Sequence, residues 1–514
     1  MSTPKNSLTS AGLALLLGGQ ILPVIDFSIV NVALESIAAS LDANHVELEL
    51  MVAVYGVFFA VCLAMGGRLG DRYGRRTLMS IGVLIFGVSS LACGLAPNML
   101  TLLIARAVQG VGAAMMVPQI LSTIHVCLTG RSHSRALGYY SAIGGLSFVT
   151  GQVLGGWLVS ADLFGLGWRN VFLVNIPVCL LILSLSGSLI PNTFSEKASS
   201  VDKLGTTLLA AAILCLLIPV SLGPLFEWSW PLIAVLMMVI PLFILLWKAE
   251  QRIELKGSAP LIPPRLLRLR SIQFGLVLCV LFVSCWSGYM FSVALTLQSG
   301  LGLTPLQSGN TFIGMGLCYF VGSLISARVT AVFGQMNTLL LGCGIQIPGL
   351  LGLIISFHWF WPTVQPIHLL AATMLIGFGQ SFIVSSFFRI SLSEVPAEDA
   401  GSGSAMLTTV QQSAFGLGAA LLGTVMYEVL KTTDNYLAAI TGALVTEVGI
   451  MIAVVILALI YRSYLKRRTV QMNRLTSMYS TSNGKKTLPK TTAASKSAID
   501  SCELIPSHSD NETQ

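Results

Sequence analysis

Apolar runs of about 20 residues recur along almost the whole chain, each closed by a short polar break. They fall at 11–34, 48–67, 77–96, 100–126, 136–160, 168–190, 204–223, 230–248, 272–297, 305–330, 337–357, 367–392, 402–430 and 440–463. A helix of that length crosses the roughly 30 Å hydrocarbon layer of a bilayer. The pattern therefore predicts an all-α polytopic membrane protein with 14 transmembrane helices. Pro97, Pro191, Pro224, Pro305, Pro362 and Pro396 stand at the breaks, where a fixed φ and a missing N–H end one helix before the next begins. The two runs within 204–248 read as a hairpin between two six-helix halves. The chain then divides into an N-terminus (1–10), a first bundle (11–190), a two-helix insertion with flanking loops (191–270), a second bundle (271–463) and a disordered tail (464–514). The first run is too long, and too interrupted by Asp26, for a cleaved secretory signal.

Polar residues between the runs set the orientation. Lys and Arg gather in alternate connectors: Arg68 to Arg76, Arg131 and Arg135, Lys197 and Lys203, Arg252 to Arg270, Arg328, and Lys466 to Arg468, with Lys5 at the N-terminus. Short basic connectors stay in the cytoplasm, so both termini are expected there. The connector Gly67-Arg68-Leu69-Gly70-Asp71-Arg72-Tyr73-Gly74-Arg75-Arg76 puts five ionisable side chains into what reads as a turn. Either it anchors the orientation, or Asp71 and the arginines latch one helix to the next; spacing alone does not choose. Arg68-x5-Gly74 is echoed by Arg328-x5-Gly334, and Gly110-Val111-Gly112 by Gly377-Phe378-Gly379. Parallel six-helix repeats of this kind build transporters that bind substrate near the midplane.

Composition agrees with a membrane protein: 54% hydrophobic and only 10% charged residues, against roughly 25% charged in soluble domains. The net charge of +7 needs no nucleic acid, because the basic connectors and tail meet anionic lipid headgroups. Ten cysteines are scattered singly without metal-ligand spacing, and no nucleotide-binding, GxSxG or HExxH motif appears. An enzyme, a metal protein and an ATP-driven pump are all excluded on this reading. No cofactor is expected, and the energy source is external or an ion gradient.

Among the charges inside apolar runs, Asp26 and Arg106 stand out. Asp26 is about fifteen residues into the first helix, where insertion costs roughly 3 kcal/mol. Such a carboxylate is suited to exchange a proton or to meet a cation, and otherwise it is a polar packing residue hydrogen-bonded near Asn31. Arg106 sits within the fourth run ahead of Gln109-Gly110-Val111-Gly112, as a fixed cation that tunes a carboxylate or as a snorkelling helix-end residue. Gly144, Gly145, Gly151, Gln152, Gly155 and Gly156 in the fifth run suggest a hinge, a seal or close packing. Trp286, Tyr289, Gln298, Tyr319, Gln380, Phe382 and Gln411 could line a substrate cavity. Glu428 and Glu447 read as solvated groups toward outer helix ends.

With these residues in view, the chain resembles the major facilitator superfamily and, within it, the fourteen-helix drug/proton antiporter branch. The resemblance rests on the 67–76 connector, on Asp26-Phe27-Ser28-Ile29-Val30-Asn31-Val32-Ala33-Leu34, on Arg106-Ala107-Val108-Gln109-Gly110 and on Trp168-Arg169-Asn170-Val171-Phe172-Leu173-Val174-Asn175-Ile176-Pro177. It implies two six-helix bundles with two extra central helices. It also implies a bacterial inner-membrane exporter, working as a monomer, that exchanges protons for an amphipathic small molecule. Asp26 and Arg106 would couple the proton, and Gly67, Arg68, Gly70, Asp71, Arg72, Gly74, Arg75 and Arg76 would form the cytoplasmic gate. Two positions depart from the family: Gln152 stands where the fifth-helix motif has proline, and Glu35 follows Val-Ala-Leu where proline is common. Glu35 is then a second outer carboxylate or a solvated helix terminus. A specific nutrient, siderophore or natural product is the alternative cargo, and a non-transporting membrane sensor the alternative class.

Overall fold

A computed structural model of the chain describes residues 8–194, 202–223, 226–256, 260, 262–396 and 400–482. The described residues are almost entirely helical. In chain order they form α1 (Ser10–Ile29), α2 (Leu34–Leu41), α3 (His45–Tyr73), α4 (Arg75–Gly94), α5 (Met99–Cys127), α6 (Gly130–Ala161), α7 (Asn170–Leu173) and α8 (Asn175–Leu189). Then follow α9 (Lys203–Leu222), α10 (Trp230–Met237), α11 (Val239–Leu255) and α12 (Pro264–Leu267). The remainder comprises α13 (Arg270–Leu295), α14 (Pro305–Asn310), α15 (Ile313–Phe333), α16 (Gln335–Phe360), α17 (Pro366–Ser391), α18 (Ala400–Thr433) and α19 (Tyr436–Ser482).

Among the described residues, 12 helices are long and apolar enough to cross a membrane, and the shorter apolar stretches Leu146–Ala161 and Leu204–Val220 occupy the fifth and seventh expected positions. That is compatible with the expected count of fourteen. α19 continues to Ser482, well past 463. Beyond the basic cluster Lys466 to Arg468 the chain has no Pro or Gly to stop it until Gly484, and Arg468 pairs with Glu394. The rest of the expected tail, 483–514, lies outside the described residues.

The connector 67–76 is not a turn. Helix α3 runs on through Arg68, Asp71 and Arg72 to Tyr73, and the chain reverses at Gly74 alone, with φ 99° and ψ 129°. Gly334 does the same between α15 and α16, with φ 80° and ψ 160°. A side chain at either φ would be strained. The glycine echo is also a packing echo. A Cβ on Gly110 would fall 2.5 Å from the Tyr55 carbonyl of α3, and one on Gly377 would strike the Met315 carbonyl of α15. Gly82 and Gly112 hold α4 against α5 as Gly342 and Gly379 hold α16 against α17. Small residues let these backbones approach as van der Waals packing in lipid requires.

Contacts between the halves gather on the side opposite the basic connectors and at mid-depth. Glu35 accepts from Ser299, the Leu306 N–H donates to Ser160 Oγ at 3.1 Å, and Gly156 lies against Pro305. At mid-depth Phe27 and Phe148 of the first half pack on Phe415 and Trp286 of the second, with ring centroids 4.9 Å apart in both the Phe27–Phe415 and Phe148–Trp286 pairs.

Candidate functional site

The deepest charges in the first half meet. Asp26 on α1 and Arg106 on α5 are both fully buried and form an ion pair. Removing two charges from water is repaid only when their remaining hydrogen-bonding capacity is met; neighbouring side chains meet most of it, while Arg106 Nη2 has no hydrogen-bond partner. Asn175 Nδ2 of α8 donates to Asp26 Oδ1 at 2.8 Å, and Gln109 Nε2 donates to the same oxygen at 2.7 Å. Gln109 Oε1 accepts from Arg106 at 2.8 Å, and Ser90 Oγ of α4 accepts from Gln109 at 2.8 Å. Tyr55 of α3 places its ring 4.3 Å from the guanidinium carbon, an arrangement that favours a cation over the π face.

Sequence reasoning found Asp26 and Arg106 but not that they pair, and it gave no role to Gln109, Ser90 or Asn175. Gln109 lies three residues after Arg106, on the same face of α5, and that spacing was a usable signal. Asn175 was visible only as part of the Trp168–Pro177 motif. Asn31 does not contact Asp26: its amide bonds back to Phe27 O and Ser28 O, at 3.3 and 3.4 Å.

The ion pair is joined to the interface between the halves through aromatic rings. Tyr55 hydrogen-bonds to Pro23 O at 3.1 Å and packs on Phe27, which follows Asp26 in the chain. Phe27 continues into a cluster with Phe148, Phe415, Trp286 and Tyr319. Of the expected cavity residues, Trp286 and Tyr319 belong to this cluster. Tyr289 and Gln380 are fully buried, and the Trp286 Nε1, the Tyr289 hydroxyl and both Gln380 amide atoms have no hydrogen-bond partner. Gln298 and Phe382 are also buried, whereas Gln411 is half-buried.

The basic connector does latch helices. Asp71 binds Arg75 one turn later at 2.6 Å, and the Arg75 N–H and guanidinium reach Thr193 O and Oγ1 at 3.0 and 3.2 Å. Arg76 donates to Gly187 O and Ile190 O at the C-terminal end of α8, at 3.0 and 3.4 Å, where free carbonyls attract a cation. Gly70 abuts the Gln119 side chain of α5, and a Cβ built on Gly67 would lie 3.7 Å from Pro118 Cβ. Arg72 lies over the neighbouring Tyr73 ring, and Arg68 donates to Pro260 O next to the insertion. Burial pushes the Arg68 pKa down, opposed by the charges of Asp202, Glu250 and Asp71.

In α6, Gly151 and Gly155 receive α1, and Gly156 receives α14. Gly145 belongs to the same helix, which runs unbroken from Gly130 to Ala161, and Gln152 directs its amide to Met290 Sδ at 3.6 Å. A further expectation fails. Glu447 is not solvated: α19 starts at Tyr436, so Glu447 is three turns in, fully buried, with neither carboxylate oxygen hydrogen-bonded. Glu428 is exposed, as is Glu35 beside Ser299.

The family model of the Major Facilitator Superfamily matches this chain over residues 16–207 and 203–419. The chain belongs to the major facilitator superfamily. Among curated members, it is 31% identical over 424 residues to the probable actinorhodin transporter of Streptomyces coelicolor, covering 82% of this chain and 73% of that protein. It is 30% identical over 463 residues to the puromycin resistance protein pur8 of Streptomyces alboniger, covering 87% and 90%. A solved structure, that of an auto-inhibited POT family peptide transporter, shares the fold with a TM-score of 0.63 at 14% identity, over 88% of this chain and 96% of that one. This major facilitator is thus a multi-pass membrane transporter of small substrates, with its buried ion pair in the first of the two halves.

Proposed function

We propose that this transporter exports amphipathic small molecules, drugs or antibiotic-like metabolites, in exchange for protons by alternating access. The observation that carries the reading is the buried Asp26–Arg106 pair, wired through Tyr55 and Phe27 to aromatic rings between the halves. Relatives named for actinorhodin transport and puromycin resistance support the cargo class. A proton added to Asp26 cancels its attraction for Arg106 and leaves the guanidinium to Gln109 and the Tyr55 ring. That shift is transmitted to Phe27, where a lipophilic substrate would stack with Phe148, Trp286, Tyr319 and Phe415. Tyr289, Gln380 and Gln411 would supply polar contacts. Proton and substrate then compete for the same arrangement, which is the requirement for antiport.

The remaining assignments follow from that reading. The residues between Gly67 and Arg76 form the gate on the basic side, which is the cytoplasmic side by the distribution of Lys and Arg. Both termini lie there, and the membrane is a bacterial inner membrane crossed by a monomer. The bundles comprise 11–190 and 271–463, with 191–270 as the insertion. Gly145, Gly151, Gln152, Gly155 and Gly156 allow α6 to move against α1 and α14. With the halves joined on the outer side, the conformation faces the cytoplasm.

The test is proton flux in everted vesicles carrying a preset pH gradient, challenged with puromycin and a panel of lipophilic antibiotics. Substrate-induced dissipation of the gradient is expected. Transport of a substrate that leaves the gradient untouched would overturn the proton coupling.

A further inference from the structure

Burial without a hydrogen-bond partner marks Glu49, as it does Glu447. The Glu49 side chain is 2% exposed, and Oε2 is enclosed with no hydrogen-bond partner. It stands one turn into α3, on the side opposite the basic connectors, where α3 of the first half packs against α18 of the second. A Cβ on Gly423 of α18 would fall on Glu49 Oε1, so the carboxyl group fills the notch that this glycine leaves. The seam continues toward mid-depth with Gly56 against Gln412 and Gly416, at 3.4 Å from a built Cβ. A path to that side can open only if this seam parts.

Among the described residues, no ionisable group around the seam hydrogen-bonds to Glu49 Oε2. On α3 itself, Glu47 accepts from the Asn44 N–H at 2.9 Å, and His45 precedes Glu49 by one turn in sequence. On α18, Glu428 is exposed and Lys431 goes to Glu227 at 3.2 Å. On α2, Glu35 accepts from Ser299, and on α5, Arg106 is committed to Asp26. The charged residues of α4 and α9 lie at the basic ends of those helices. An ionised carboxylate enclosed in this way gives up its hydration for nothing, whereas the neutral acid can be packed.

We propose that Glu49 is a second proton-binding site of this transporter, at which uptake of a proton from the outer side seals the α3–α18 seam. When the seam parts, Glu49 is hydrated and releases its proton to the water it came from. The proton is taken from and returned to one side, so Glu49 sets the pH dependence of opening and not the number of protons exchanged. The proposal rests on the alternating-access reading above, but not on proton exchange at Asp26.

Spin labels carried by unnatural amino acids at Asp42 and Thr432, both exposed at the outer ends of the two halves, report the width of the seam while leaving the native cysteines in place. In reconstituted protein, the closed population is expected to grow as the pH falls over roughly pH 5 to 9, the range that a perturbed carboxyl group can reach. Glu49→Gln is expected to stay closed throughout, with loss of the pH response, and Glu49→Asp to keep a response with a shifted midpoint. Asp26→Asn is expected to lose antiport and keep the seam response, which separates the two readings. A wild-type or Glu49→Asp seam insensitive to pH would overturn the proposal. So would a Glu49→Gln seam that responds as the wild type does.

Discussion

At the scale of single residues, the proposed function centres on a buried charge pair that neither member could keep alone. Removing one partner of such a pair leaves an uncompensated charge and costs about 3–5 kcal/mol, whereas replacing both with neutral groups is often close to neutral. Arg106→Gln should therefore lower thermal stability in detergent more than the double change Asp26→Asn/Arg106→Gln, with transport lost in both; equal stability would mean that the pair carries no such strain. Asp26→Asn alone should insert normally and abolish proton-coupled transport, and full residual activity would refute its role. Arg106→Lys should fail too, because an ammonium cannot serve Asp26, Gln109 and the Tyr55 ring together. The two charges were legible in the sequence because charge inside an apolar run is costly and conspicuous. Their supporting amides were not: Asn175 lies 149 positions from Asp26, and only the packing of α8 on α1 makes it a partner. Glu49 escaped for a different reason. It lies near the start of an apolar run, where a carboxylate costs little until a second helix closes over it.

Among elements, the helical spans were legible and their ends were less so. Apolar runs report the part of a helix in lipid, but α3 keeps its hydrogen bonds for several residues beyond it, so Arg68 and Arg72 sit on a helix and the reversal falls to Gly74. Gly74→Ala would force a side chain onto φ 99° and into Asn192, which a built Cβ meets at 2.5 Å. A strained position of this kind costs about 1–3 kcal/mol, and Gly334→Ala at φ 80° should carry a similar penalty. Thermal unfolding would read both, with Gly144→Ala, where a Cβ meets open space, as the unaffected control. An unchanged Gly74→Ala protein would mean that the reversal relaxes without glycine. The paired echoes Gly74 with Gly334 and Gly110 with Gly377 could be seen in sequence, yet they acquired meaning only when both members of each pair proved to occupy the same structural place.

For the whole molecule, the decisive property is that the two halves are joined on one side. Ser160 on α6 and Leu306 on α14 meet by a hydrogen bond of 3.1 Å across that join, and Gly156 brings the two backbones together beside it. If transport requires the join to open, a covalent bridge there must stop it without touching the ion pair or the aromatic cluster. Cysteines introduced as Ser160→Cys and Leu306→Cys should cross-link under mild oxidation because the backbones are already close. Oxidation should then abolish substrate efflux in vesicles, and a reductant should restore it. Each single-cysteine variant should be indifferent to both treatments. If the conformation faces the basic side as proposed, the cross-linked protein should still bind substrate from that side. Efflux at the uncross-linked rate through a fully bridged protein would show that the halves need not separate there, and the alternating-access reading would fail with it.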